Sequence, residues 1–183
     1  DYDMDDVIVE YERKVYFDKK NIVTKIVDEF TPVHDGATYV NAFAYQIDAA
    51  QIGDKITLPE GAILEKETSS IIVMSNAKQN IGNKYVVTRE FNGSFLKNQL
   101  LSYNPYIIVK YSQGEQNRTE VHLPKHKATA YANQSLIGSN DDAYYIDRKG
   151  AYPFAIDIPM LGFTPVTERN RIDTVSYTHL RAH

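Results

Sequence analysis

The chain has no cysteine, no tryptophan and only five histidines in 183 residues. Without cysteine there is no disulfide framework and no thiolate metal site. The cellular compartment stays open, because exported proteins can also lack cysteine. No apolar run approaches the roughly 20 residues that a transmembrane helix needs. No basic tract offsets the net charge of −4, so nucleic acid and anionic membranes are not the expected partners. Several chemical signatures are missing too. There is no H-E-x-x-H, no G-x-S-x-G nucleophile elbow, no G-x-G-x-x-G and no P-loop. His122 and His126 have a spacing open to zinc, but Pro124 between them rules out a shared helix face. Zinc would therefore need His34 or an aspartate from elsewhere.

What is present is ordinary globular composition, with 43% hydrophobic and 24% charged residues. The length suits one domain with a sizeable core. Fourteen tyrosines are the compositional excess, and tyrosine favours strands and wet binding surfaces.

Period-two alternation dominates the chain. Val7 to Phe17 places Val7, Val9, Tyr11, Val15 and Phe17 on one face, with Glu10, Glu12 and Lys14 opposite. Asp18-Lys19-Lys20-Asn21 reads as a turn, and Ile22 to Val33 as the returning strand of a hairpin. Ala37 to Ile47 reads as the clearest strand, with Asn41 on its apolar face, where a buried amide needs partners. Weaker strands follow over Ile56–Leu64, broken by Pro59-Glu60-Gly61, then over Ile71–Met74, Tyr85–Val87, Tyr106–Tyr111 and Thr119–Leu123. Pro124 to Pro153 is long and aperiodic, and loops of that length are usually functional or disordered. Phe154 to Ile158 reads as a last strand. Many short strands separated by turn signals imply an all-β fold, an antiparallel β-sandwich or jelly roll with long loops.

The opening, Asp1-Tyr2-Asp3-Met4-Asp5-Asp6-Val7-Ile8-Val9, packs four carboxylates ahead of a strand. Asp1, Asp3 and Asp5 follow the first half of a calcium loop, but the glycine and the remaining spacing of an EF-hand are absent. Two readings stand: a hydrogen-bonded acidic turn, or a calcium site completed by oxygens from elsewhere in the fold.

Six stretches in the same order resemble the LruC-type domain, a family of unknown function found at the C-terminus of bacterial surface lipoproteins. They are the acidic opening, Gly36-Ala37-Thr38-Tyr39-Val40-Asn41-Ala42-Phe43, Asn104-Pro105-Tyr106, Glu120-Val121-His122-Leu123-Pro124, Ile137 to Asp142, and Pro153 to Pro159. Asp5 replaces an asparagine of the family pattern, Ala42 a glycine and Phe154 a tryptophan. The resemblance implies an exported, lipid-anchored parent at the outer membrane or cell surface, an all-β domain over residues 1–173, and no established catalysis. With it, the expected metal ligands are Asp1, Asp3, Asp5 and Asp6, joined by Asn140, Asp141 and Asp142 from the long loop, and the expected cofactor is calcium.

The expected role is non-catalytic, structural or adhesive. An alternative is a carbohydrate-binding module that stacks a cell-surface glycan on Tyr131, Tyr144, Tyr145 and Tyr152, beside His122; a protein partner is also open. A carboxylate or metal-dependent hydrolase is the remaining reading, and sequence alone does not supply the carboxylate separation it needs. The chain starts without methionine, as a fragment or processed product would. Residues 175–183 resemble the translation of a transposon sequencing adapter and are expected to be non-native.

Overall fold

The structure is a computed structural model and describes residues 6–135, 145, 153–159 and 161–163. Strand β1 (Ile8–Phe17) turns back into β2 (Val23–His34). The turn is built by Asp18, whose carboxylate accepts from the N–H groups of Lys20 and Ile22 at 2.8 and 2.9 Å. Asn21 takes the left-handed backbone conformation at φ 61°, which asparagine tolerates better than most residues.

The remaining strands are β3 (Ala42–Gln46), β4 (Lys55–Thr57), β5 (Ile63–Glu65), β6 (Ser70–Met74), β7 (Tyr85–Glu90), β8 (Asn104–Val109) and β9 (Thr119–His122). They form a four-stranded sheet in the order β1-β2-β7-β4 and a five-stranded sheet in the order β5-β6-β3-β8-β9. Every neighbouring pair is antiparallel. Among the described residues the only helical elements are single 3-10 turns, and no helix is long and apolar enough to cross a membrane.

The two sheets pack as a β-sandwich. Phe30 and Val87 from the four-stranded sheet meet Phe43, Tyr45, Ile71 and Val73 from the five-stranded one. Phe30 lies with its ring centre 5.2 Å from that of Phe43 and 5.0 Å from that of Tyr45. A second cluster, Val23, Ile26 and Phe91, closes one end with Phe95 and Leu100 against it. The five-stranded sheet is buried on its outer face as well. Ala42, Ala44, Ile72, Tyr106 and Ile108 form a third cluster there.

The expected hairpin and sandwich are present, with three corrections. The strand expected from Ala37 begins only at Ala42, because Asp35 turns the chain by accepting from the Ala37 N–H at 3.0 Å. Tyr39, which the alternation places on the apolar face, is consequently exposed. The broken strand around Pro59 is two strands in different sheets, and the break carries the chain from one sheet to the other. Residues 154–158 belong to no strand among the described residues, despite their alternation.

Candidate functional site

Three groups of polar side chains stand out. The first lies inside the sandwich. Arg13 of β1, Asp28 of β2 and Arg89 of β7 all occupy the inward parity of their strands. Arg13 pairs directly with Asp28 in the ladder, and Arg89 sits one diagonal away. The Asp28 carboxylate accepts from Arg13 Nε at 2.6 Å, from Arg89 Nη2 at 3.3 Å and from the Tyr45 hydroxyl at 3.2 Å. Arg89 also donates to the Gln51 carbonyl at 2.7 Å. The Arg13 guanidinium lies 3.8 Å above the centre of the Tyr103 ring. Asp28 and Arg89 are each 1% exposed. Burial pushes the hydroxyls of Tyr45 and Tyr103 well above the ordinary tyrosine range, so both stay protonated.

The second group covers the outer face of the five-stranded sheet. Arg118 makes a two-pronged contact with Glu65 at 2.7 and 2.9 Å, donates to Glu120 at 2.8 Å and to the Tyr106 hydroxyl at 3.0 Å. Glu120 in turn accepts from the N–H and hydroxyl of Thr129, at 2.9 and 2.6 Å. Its second oxygen also faces His122 Nε2 at 2.9 Å, while His122 Nδ1 meets the Asn104 side-chain amide at 2.7 Å. Burial alone would raise the Glu120 carboxyl. Bonds from His122, Thr129 and Arg118 outweigh it and hold Glu120 below the ordinary carboxylate range. Burial pushes the His122 imidazole down, with the Glu120 carboxylate pulling the other way. Burial also opposes the Arg118 charge, but Glu65, Tyr106 and Glu120 prevail and keep it firmly protonated.

This network pins the loop after β9 onto the sheet. It also decides the fate of two tyrosines expected to face a ligand. Tyr145 is 2% exposed and packs 5.0 Å from the His122 ring, which is itself stacked on Tyr106 at 4.4 Å. Tyr131 is half-buried, with its ring 5.5 Å from the Arg118 guanidinium. Neither Tyr145 nor His122 therefore presents a free face on which a sugar could stack. Tyr144 and Tyr152 lie outside the described residues.

The third group surrounds the acidic opening. Asp1, Asp3 and Asp5 lie outside the described residues, as do Asn140, Asp141 and Asp142. Asp6 is described and exposed. It stands at the rim of a groove of about 1160 Å³ between β1, the inner face of β8 and β9, and the segment 153–163. The groove wall includes Val7, Val9, Ile107, Val109 and Val121, and Asn41 lines it too. The segment 153–163 is tied to β1 by two side-chain bonds. The Tyr11 hydroxyl donates to Asp157 at 3.0 Å, and the Gly162 N–H donates to Glu10 at 2.7 Å.

The loop from Asp35 to Asn41 follows His34, which pairs with Ile8 in the ladder. Asp35 is 5% exposed, and its second oxygen, Oδ2, has no hydrogen-bond donor. Asn41 is 3% exposed, and its Oδ1 has none either. Lys78 clamps the loop by donating to the Ala37 carbonyl at 2.6 Å, and Ala77 donates its N–H to the Asn41 carbonyl at 2.9 Å. Burial raises the Asp35 carboxyl. The Ala37 N–H and the Lys78 charge pull it back, and the Asp6 charge pushes it up again. Among the described residues no group of three or more His, Cys, Asp or Glu side chains is placed to hold a metal.

The sequence pointed to Asp6, Asn41 and His122 but not to Asp28, Arg89, Arg118, Glu65, Glu120 or Asp35. A signal for the first cluster was available. Arg13, Asp28 and Arg89 each interrupt the apolar parity of a strand, between Tyr11 and Val15, Ile26 and Phe30, and Val87 and Phe91. A single charge in that position is an irregularity; three, of both signs, are a buried ion cluster.

No curated protein and no solved structure matches the chain. The first 20 residues, with the acidic opening, precede the span that does find a match. A family model, described as a domain of unknown function, DUF4842, matches residues 21–183, and the chain belongs to that family.

Proposed function

We propose that this domain is a non-catalytic structural or adhesive module of an exported bacterial surface lipoprotein, of the LruC type, stabilised by calcium at its acidic opening. The observation that carries the non-catalytic reading is how the charged side chains are used. The two densest clusters, Arg13–Asp28–Arg89 and Arg118–Glu65–Glu120–His122, lie buried within or against the sandwich, and their carboxylates are saturated with donors. Such networks hold sheets and loops in one arrangement. A reacting carboxylate needs an approach for substrate, and Asp28 and Glu120 have none.

The calcium component is supported by the density of carboxylates at positions 1, 3, 5 and 6 and by the position of Asp6 at the rim of the groove. Hard oxygen donors of this kind suit calcium, which takes about six to eight of them. The surface and lipoprotein component rests on the resemblance of the six ordered stretches.

The test is a pair of thermal melts of the purified protein, in EDTA and in millimolar calcium. A ligand that binds only the folded state stabilises it by mass action, so calcium is expected to raise the melting point by several degrees. No shift would remove the cation from the account. A substrate turned over by the purified protein, with turnover stopped by a single carboxylate change in a variant that still folds, would overturn the non-catalytic reading.

A further inference from the structure

The loop between β2 and β3 contains two oxygen atoms that the fold leaves without a donor: Asp35 Oδ2 and Asn41 Oδ1. Each belongs to a side chain more than nine-tenths buried. A buried acceptor with no partner is costly, so two in one seven-residue loop call for something that answers both. Polar positive candidates nearby are few. Lys78 is spent on the Ala37 carbonyl, although its charge reaches Asp35. The His34 ring is the other neighbour, and its Nε2 is itself buried and unpartnered.

The placement of Asp6 completes the picture. In the hairpin register Ile8 pairs with His34, so the chain just ahead of Ile8 runs beside the chain just after His34. Asp6 therefore flanks this loop; its charge acts on Asp35, and it lines the same groove as Asn41. Two carboxylates and an amide oxygen, with Asp35 Oδ2 and Asn41 Oδ1 unanswered by any donor, suit a hard divalent cation.

We infer that Asp35 and Asn41, together with Asp6, supply side-chain oxygens to a calcium-class cation, with backbone carbonyls and water filling the remaining positions. The inference rests on the cation reading above and adds two ligands that lie far from the acidic opening in sequence. It gives the loop 35–41 a purpose. The loop departs from the strand that its alternation would form and buries two oxygens without donors instead. Asp35 Oδ1 keeps the turn through the Ala37 N–H, which leaves Oδ2 for the metal.

The experiment uses the full chain and three proteins: wild type, Asp35→Asn and Asn41→Asp. Calcium binding is measured by calorimetry and by displacement of terbium, whose emission is sensitised here by tyrosine alone because there is no tryptophan. Asp35→Asn keeps an oxygen for the turn but removes the ligand charge. It is expected to weaken calcium at least about tenfold while melting no lower than wild type in EDTA, since a buried carboxylate with one oxygen left without a donor has gone. Asn41→Asp adds a charged ligand. It is expected to bind calcium at least as well as wild type and to melt lower in EDTA. If Asp35→Asn does not fold, Asn41→Asp decides alone, because a purely structural Asn41 would lose stability equally with and without calcium. Calcium binding by wild type that neither variant alters overturns this assignment and leaves the acidic opening as the site. Absence of binding by wild type overturns the cation reading itself.

Discussion

Removing the Asp28 carboxylate leaves two guanidinium groups inside the sandwich with no counter-charge. Breaking a buried pair in this way costs far more than the pair contributes against an apolar replacement. Asp28→Ala is therefore expected to lose about 3–5 kcal/mol in chemical denaturation, and a loss under about 1 kcal/mol would mean that the cluster is open to water. Glu120 makes a prediction in pH. Its folded pKa lies below the unfolded value, so its contribution is complete above the ordinary carboxylate value of about 4.3 and is lost as pH falls through the lower, folded one. His122, also lowered, adds to the same acid limb, since its contribution is lost as pH drops below its unfolded value of about 6.5. Glu120→Gln is expected to be less stable at pH 7 and to lose less stability between about pH 5 and pH 3. Urea melts across that range check this, and parallel curves for the two proteins would clear Glu120 of the acid sensitivity. Both clusters lie at the limit of what alternation can show. It marks Arg13, Asp28 and Arg89 as facing inward, but only the ladder register shows that they meet.

At the scale of elements, local chemistry was legible and redirection by distant groups was not. The β1–β2 hairpin follows from period two on both sides of a turn that Asp18 and Asn21 favour by themselves. The loop 35–41 is different. Its residues alternate like the strand they lead into, and Gly36 alone does not say how far the turn extends. What stops the strand is the Asp35 bond to Ala37 and the hold of Lys78, which arrives from 41 residues along the chain. Similarly, Ile56 to Leu64 carries strand residues, but nothing local says that they serve different sheets. The turn ahead of β4 gives a sharper case. Gly53 has φ +113°, and a Cβ there would stand 3.3 Å from both the Arg89 Cβ and the Glu90 carbonyl. Gly53→Ala must adopt a backbone that L-residues avoid, directly against a member of the buried ion cluster. It is expected to cost about 1–3 kcal/mol. Thermal or urea melts read this out, and a neutral result would mean that the turn relaxes without disturbing Arg89.

At the scale of the molecule, the consequential feature is the side of the sandwich along β1. β1 ends the four-stranded sheet, and beyond it an apolar trough runs down to Ile107, Val109 and Val121 of the other sheet. Unpaired edges beside apolar surface invite pairing with another chain. Two features of this protein oppose that. Glu10, Glu12 and Lys14 place charge along β1, and the segment 153–163 lies over the trough, held by Tyr11 to Asp157 and by Gly162 to Glu10. The segment makes no ladder with β1 among the described residues, so its hold depends on few bonds. Ending the chain before Pro153 should expose the trough, and the shortened protein is expected to self-associate with rising concentration in sedimentation velocity while the full chain does not. Tyr11→Phe, which removes one tie and leaves the rest, should increase protease cleavage within 153–163 without changing the melting point measurably. If the shortened protein stays monomeric at every concentration, the charges on β1 suffice to guard the edge. The segment would then be a passenger on the sandwich rather than its cover.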